Sequence, residues 1–185
     1  YISGTGANGW PLFQISGWGE FCMSKTMENM LKTTSSVADP RMPLWFGHTN
    51  GSTAENPEFK GIPNGLATSD LNNYPADDRS YVWGLQAMPG WNSKNNSESS
   101  FCVPIRQKVM SYAEVCLLKA EAALRGWNGA GDAKANYLAG IKASFEAERA
   151  MVSDASLYST ANDNTYMTTG KVEWKDDADF ETHLE

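Results

Sequence analysis

The sequence predicts a mostly α-helical protein, a helical scaffold interrupted by long loop-rich insertions and a few short strands. Three observations carry that expectation. A helical hairpin with its own caps spans Ser111 to about Phe145, a methionine stripe runs from Met23 to Leu31, and from about Gly47 to Met110 no helical period survives.

Taken in chain order, residues up to Gly19 are rich in Gly and Ser and read as loop. A helix is expected over 20–33, because Met23, Met27, Met30 and Leu31 recur at helical spacing before the cluster Thr33-Thr34-Ser35-Ser36 ends it. At Asp39-Pro40-Arg41 the proline fixes φ and bars the preceding residue from helix, so Met42 to Phe46 is read as extended. Residues 40–110 form the loop-rich segment, with short strands expected at Ser80 to Trp83 and at Phe101 to Ile105. A loop this long usually has a function or leans on distant parts of the chain.

The hairpin, 111–150, is the best-specified element. Ser111 caps the first helix while Glu114 reaches back to the Ser111 amide, and Met110 and Val115 take the flanking staple positions. Gly126 suits the left-handed residue that ends the helix. Asp132 opens a second helix whose buried face is Tyr137, Leu138, Ile141 and Phe145. Ala113, Ala120, Ala123 and Gly140 permit close helix packing, in a unit about the length of a tetratricopeptide repeat with no second copy here. Residues 151–185 return to loop, and the acidic run from Asp176 reads as the start of a further helix.

Composition narrows the function. With 41% hydrophobic residues the chain can bury a core, and its formal charge of -7 leaves no cationic footprint for nucleic acid or an anionic membrane. Cys22, Cys102 and Cys116 are too far apart for a disulfide framework or a zinc knuckle. No signal-peptide pattern opens the sequence and no apolar run is long enough to span a membrane; because the sequence opens at Tyr1 without a Met and stops inside the acidic helix start that follows Asp176, the 185 residues are read as part of a longer polypeptide.

Chemical motifs are weak. Gly4-Thr5-Gly6-Ala7-Asn8-Gly9 matches the dinucleotide pattern by letter, but no strand precedes it and Trp10-Pro11 follows. Cys22 with His48 or His183 lacks any protease signature, and Asp70-Leu71-Asn72-Asn73 loses the calcium pattern at Tyr74-Pro75. Asp77 and Asp78, or Asp39 with either, are the available carboxylate pairs for glycoside hydrolysis. The aromatics say more. Trp45, Trp83, Trp91 and Tyr81 lie among Asn64, Arg79, Gln86, Asn92, Asn95 and Asn96, and flat apolar faces beside amide and guanidinium donors suit sugar rings. The ligand-binding candidates are Trp83, Trp91, Tyr81, Trp45, Asn64 and Arg79; no catalytic residue, metal or cofactor is assigned.

From Met110-Ser111-Tyr112-Ala113-Glu114-Val115-Cys116-Leu117-Leu118-Lys119 through Ala120-Glu121-Ala122-Ala123-Leu124-Arg125-Gly126-Trp127 the sequence resembles the SusD/RagB family, nutrient-binding outer-membrane lipoproteins of Bacteroidetes. Asp39-Pro40-Arg41-Met42-Pro43, Lys60-Gly61-Ile62-Pro63-Asn64-Gly65 and Tyr137-Leu138-Ala139-Gly140-Ile141-Lys142-Ala143-Ser144-Phe145 follow the order that family shows. The resemblance spans about Met23 to Phe145 and is nearest the non-starch branch. It implies tetratricopeptide-like helices and no enzyme activity. It also implies a lipid anchor, outside these residues, on the outer face of the outer membrane. Oligosaccharide or another nutrient would pass to a SusC-like, TonB-dependent transporter. No binding residue transfers by motif. A helical scaffold that binds only protein and a glycoside hydrolase fragment stay open as alternatives.

Overall fold

The computed structural model describes residues 21–53, 55–81, 109–150, 155 and 158–184. It is mostly helical, as the patterning predicts. We number the helices α1 (Lys25–Thr33), α2 (Met42–Trp45), α3 (Tyr112–Leu124), α4 (Ala133–Arg149), α5 (Asp163–Met167) and α6 (Phe180–Leu184), with 3-10 turns at Thr68–Asn73 and Ala76–Asp78. Among the described residues no helix is long and apolar enough to cross a membrane.

The hairpin of α3 and α4 forms as its local signals require. Ser111 Oγ accepts from the Glu114 amide at 3.1 Å, and the Glu114 carboxylate accepts in turn from the Ser111 amide at 3.4 Å. Gly126 takes φ 73°, and Asp132 Oδ1 accepts from the Ala135 amide at 2.7 Å to open α4. Gly140 lies where α4 crosses α3: a Cβ there would stand 2.9 Å from Leu117 Cγ and 3.2 Å from the Ala113 carbonyl. Its lack of a side chain allows that approach, which offsets the helix propensity it forgoes. On the far side of α4, Phe145 is buried with Tyr166, Met167 and Val172, and Leu138, Ile141 and Val37 pack against them. Tyr137 completes the expected face by donating to the Val172 carbonyl at 2.7 Å.

Two expectations fail. Helix α1 begins at Lys25, because Cys22 and Ser24 are drawn into isolated bridges with Tyr81 and Ile62. The methionine stripe is accordingly split. Met23 precedes the helix and is fully buried, Leu31 is buried, and Met27 and Met30 are exposed. Met42 to Phe46 is not extended: α2 is a helical turn with Pro43 in its first turn, a position where proline lacks no needed donor. Met42 and Phe46 join Met23, Leu31 and Phe59 in a second buried cluster, flanked by Trp45.

One buried ion pair joins the two clusters. The Asp39 carboxylate accepts from the Arg41 amide at 2.8 Å, from Arg41 Nε at 2.9 Å and from Arg41 Nη2 at 2.5 Å, and it takes a fourth bond from the Tyr166 hydroxyl at 2.9 Å. Arg41 Nη1 continues to Ser144 Oγ on α4 at 2.7 Å. Its guanidinium lies 4.9 Å from the Trp45 ring centroid and 5.5 Å from that of Phe145. Burial, reinforced by the Asp39 charge, pushes the Tyr166 phenol up to about 12. The hydroxyl therefore stays protonated as a donor.

Removing one partner of a buried pair strands the other. Asp39→Ala is expected to lower unfolding free energy by roughly 3–5 kcal/mol, against less than about 1 kcal/mol for the exposed pair partner Glu121 changed to Ala, both read from urea denaturation.

Candidate functional site

The sequence places its ligand candidates around the loop-rich segment, and the structure anchors the base of that segment to α1. The Met23 amide donates to the Ser80 carbonyl at 2.7 Å, Ser80 N to Lys60 O at 2.8 Å, and Lys25 N to Ile62 O at 2.7 Å. Gly47 N then donates to the Tyr81 carbonyl at 2.9 Å. Segments 22–25, 60–62 and 80–81 thus share backbone bonds without forming a strand among the described residues.

Glu28 locks this base from below. Its carboxylate, buried on α1, accepts from Lys25 Nζ at 2.8 Å, Lys32 Nζ at 3.0 Å and the Gly61 amide at 2.8 Å. Burial by itself would raise this carboxyl; the bonds from Lys25, Gly61 and Lys32 overcome it and hold the group at about 2. Gly61 is required by space: a Cβ would lie 2.3 Å from the Ser24 carbonyl oxygen and 2.8 Å from the Lys25 nitrogen.

The candidate residues occupy different settings on this base. Tyr81 is half-buried at the antiparallel bridge to Cys22. Arg79 Nε donates to the Tyr74 carbonyl at 2.6 Å and Nη2 to the Leu71 carbonyl at 3.3 Å, so the guanidinium closes the 3-10 turns. Asn64 is exposed in a turn beside Gly65. Trp45 Nε1 donates to Glu148 Oε2 at 3.0 Å and one ring neighbour is Arg41, so this indole packs between α2 and α4. Trp83 and Trp91 lie outside the described residues, as do Gln86, Asn92, Asn95, Asn96, Cys102 and the glycine pattern at Gly4 to Gly9.

The weaker chemical motifs find no constellation. Burial pushes the Cys22 thiol up, against the pull of Arg79, which opposes nucleophile formation. His48 Nδ1 faces the Thr49 carbonyl at 2.9 Å and Ser52 Oγ at 3.1 Å, while His183 stacks on Trp174 at 4.1 Å. Of the carboxylates, Asp39 is committed to Arg41 and Tyr166, Asp78 binds Lys60 at 2.6 Å, and Asp77 accepts from Asn50 at 3.0 Å. Among the described residues no group of three or more His, Cys, Asp or Glu is placed to hold a metal ion.

One feature escaped the sequence reading. Trp127, treated there only as part of the family-like helix end, is 66% exposed, and with Met110, Val115, Leu118, Lys119 and Asn128 it lines an open hollow of about 510 Å³. Its position just past the Gly126 cap is the signal: the Trp127 amide closes the helix end on the Ala122 carbonyl at 3.0 Å, which sets the indole beside the last turns of α3.

With these positions known, the comparisons with other proteins become specific. A family model described as SusD-like, SusD and RagB outer membrane lipoprotein, matches residues 5–185. The chain belongs to the SusD-like family. The match covers the whole span in which the four resembling segments occur. Among solved structures, a SusD-like protein from Bacteroides thetaiotaomicron VPI-5482 is similar over 92% of this chain, at 26% identity and a TM-score of 0.50. The chain spans 34% of that structure, about a third of its length. No curated protein matches this chain. In SusD-like terms, the four segments land on scaffold contacts: the Asp39–Arg41 pair, the Gly61 approach, and the two hairpin helices.

Two variants check the base. Gly61→Ala is expected to cost about 2–3 kcal/mol in urea denaturation, because backbone atoms at 2.3 Å have no flexible end to move aside. For Glu28, the folded-state value of about 2 lies below the ordinary 4.5, so its contribution is complete above pH 4.5 and disappears as pH falls toward 2. Glu28→Gln should therefore be less stable than the parent at pH 7, by on the order of 1–3 kcal/mol given the partly exposed lysines. The gap should close on acidification across that window. An equal gap at pH 7 and pH 2 would remove the charge from the explanation.

Proposed function

We propose that this chain is part of a surface nutrient-capture protein that binds an oligosaccharide or comparable nutrient and delivers it to a SusC-like, TonB-dependent transporter. The observation that carries the reading is the SusD-like match over residues 5–185. The protein works at the outer membrane, on its extracellular face, held by a lipid anchor outside these residues. It acts by binding, with no catalytic step and no cofactor.

Within that role, residues 111–150 supply rigid packing and 40–110 supplies ligand or partner contacts. Trp83 and Trp91 stack on the sugar, with Tyr81, Trp45, Asn64 and Arg79 as the neighbouring candidates. Support comes from chemistry: indole faces match the apolar C–H faces of sugar rings, and amide and guanidinium donors match the hydroxyl rims. Tyr81 contributes position, being held at the base directly before residue 82 by its bridge to Cys22. The engaged states of Trp45 and Arg79 give them supporting roles, in which they shape the surface more than they contact ligand.

Isothermal calorimetry of the full-length protein against a panel of soluble glycans tests the proposal, with Trp83→Ala and Trp91→Ala measured beside the parent. The expected result is binding by the parent and a weakening of roughly tenfold or more in at least one variant, the usual effect of truncating a central aromatic contact. Unchanged affinity in both variants would sink the stacking assignment. No heat with any glycan would favour the alternative of a helical scaffold that binds protein alone.

A further inference from the structure

We draw no further inference here: the strongest candidate, the exposed apolar face of α3 with the hollow beside Met110, Leu118 and Trp127, is an unpartnered surface, and nothing in the structure shows what covers it.

Discussion

The Asp39–Arg41 pair is the constraint on which the described structure depends. A carboxylate at 2% exposure carries a large desolvation cost, recovered only if its lone pairs are filled with good geometry. Here they are filled by the Arg41 amide, the guanidinium and the Tyr166 hydroxyl. Each of those donors comes from a segment whose placement is thereby fixed. The Arg41 amide bends the chain tightly after Pro40 and launches α2, whose Trp45 amide returns to the Arg41 carbonyl at 3.1 Å. The guanidinium then reaches Ser144, and Tyr166 brings α5 onto the same carboxylate. Apolar contact alone would hold the two clusters near one another with little preference of orientation, since burial of apolar area is non-directional. Directional bonds to one carboxylate select a single arrangement.

Glu28 repeats that logic with a different outcome. Its partners Lys25 and Lys32 sit on its own helix, one turn before and one after, so much of the charge pairing is local and partly solvated. The long-range component is the Gly61 amide, reinforced by Lys32 Nζ donating to the Phe59 carbonyl. Glu28 thus joins the loop at 59–61 to α1, and that loop in turn pairs with Ser80. A buried acid on a helix, a glycine without room for a methyl group and a fully buried serine together hold Ser80 and Tyr81 beside the start of α1.

Legibility followed the range of the interactions. The hairpin was readable because serine, glutamate, glycine and aspartate act within four residues of where they stand, and capping geometry leaves little to distant context. The fate of Met27 and Met30 was not readable. Spacing placed them on one stripe with Leu31, but only the position of Phe59 and Phe46 determines which part of that stripe is covered. Met42 to Phe46 misled for a related reason: Pro40 does restrict its predecessor, yet Pro43 is equally at home in the first turn of a helix, and the Asp39 bonds decide between the two. Arg79 and Trp45 carry the composition of a sugar site, while their actual partners, Tyr74, Leu71 and Glu148, lie at distances in sequence that no local pattern encodes.

This division explains why the family is recognisable while the ligand is not. The segments that resemble SusD-like proteins are those under tight steric or electrostatic restraint: a glycine 2.3 Å from backbone, a buried ion pair, a helix crossing with room for no side chain. Such restraints tolerate few residues, so they leave a readable pattern. A sugar-binding surface is restrained differently, by the match of a few aromatic faces and polar groups to one ligand, and many residue sets achieve that on the same scaffold. Of the aromatic candidates in the described residues, Trp45 already has its N–H bonded and Arg41 against its ring. We propose the stacking role for Trp83 and Trp91 on the chemistry of their indole faces; they follow Tyr81 in the chain and lie outside the motifs that identify the family.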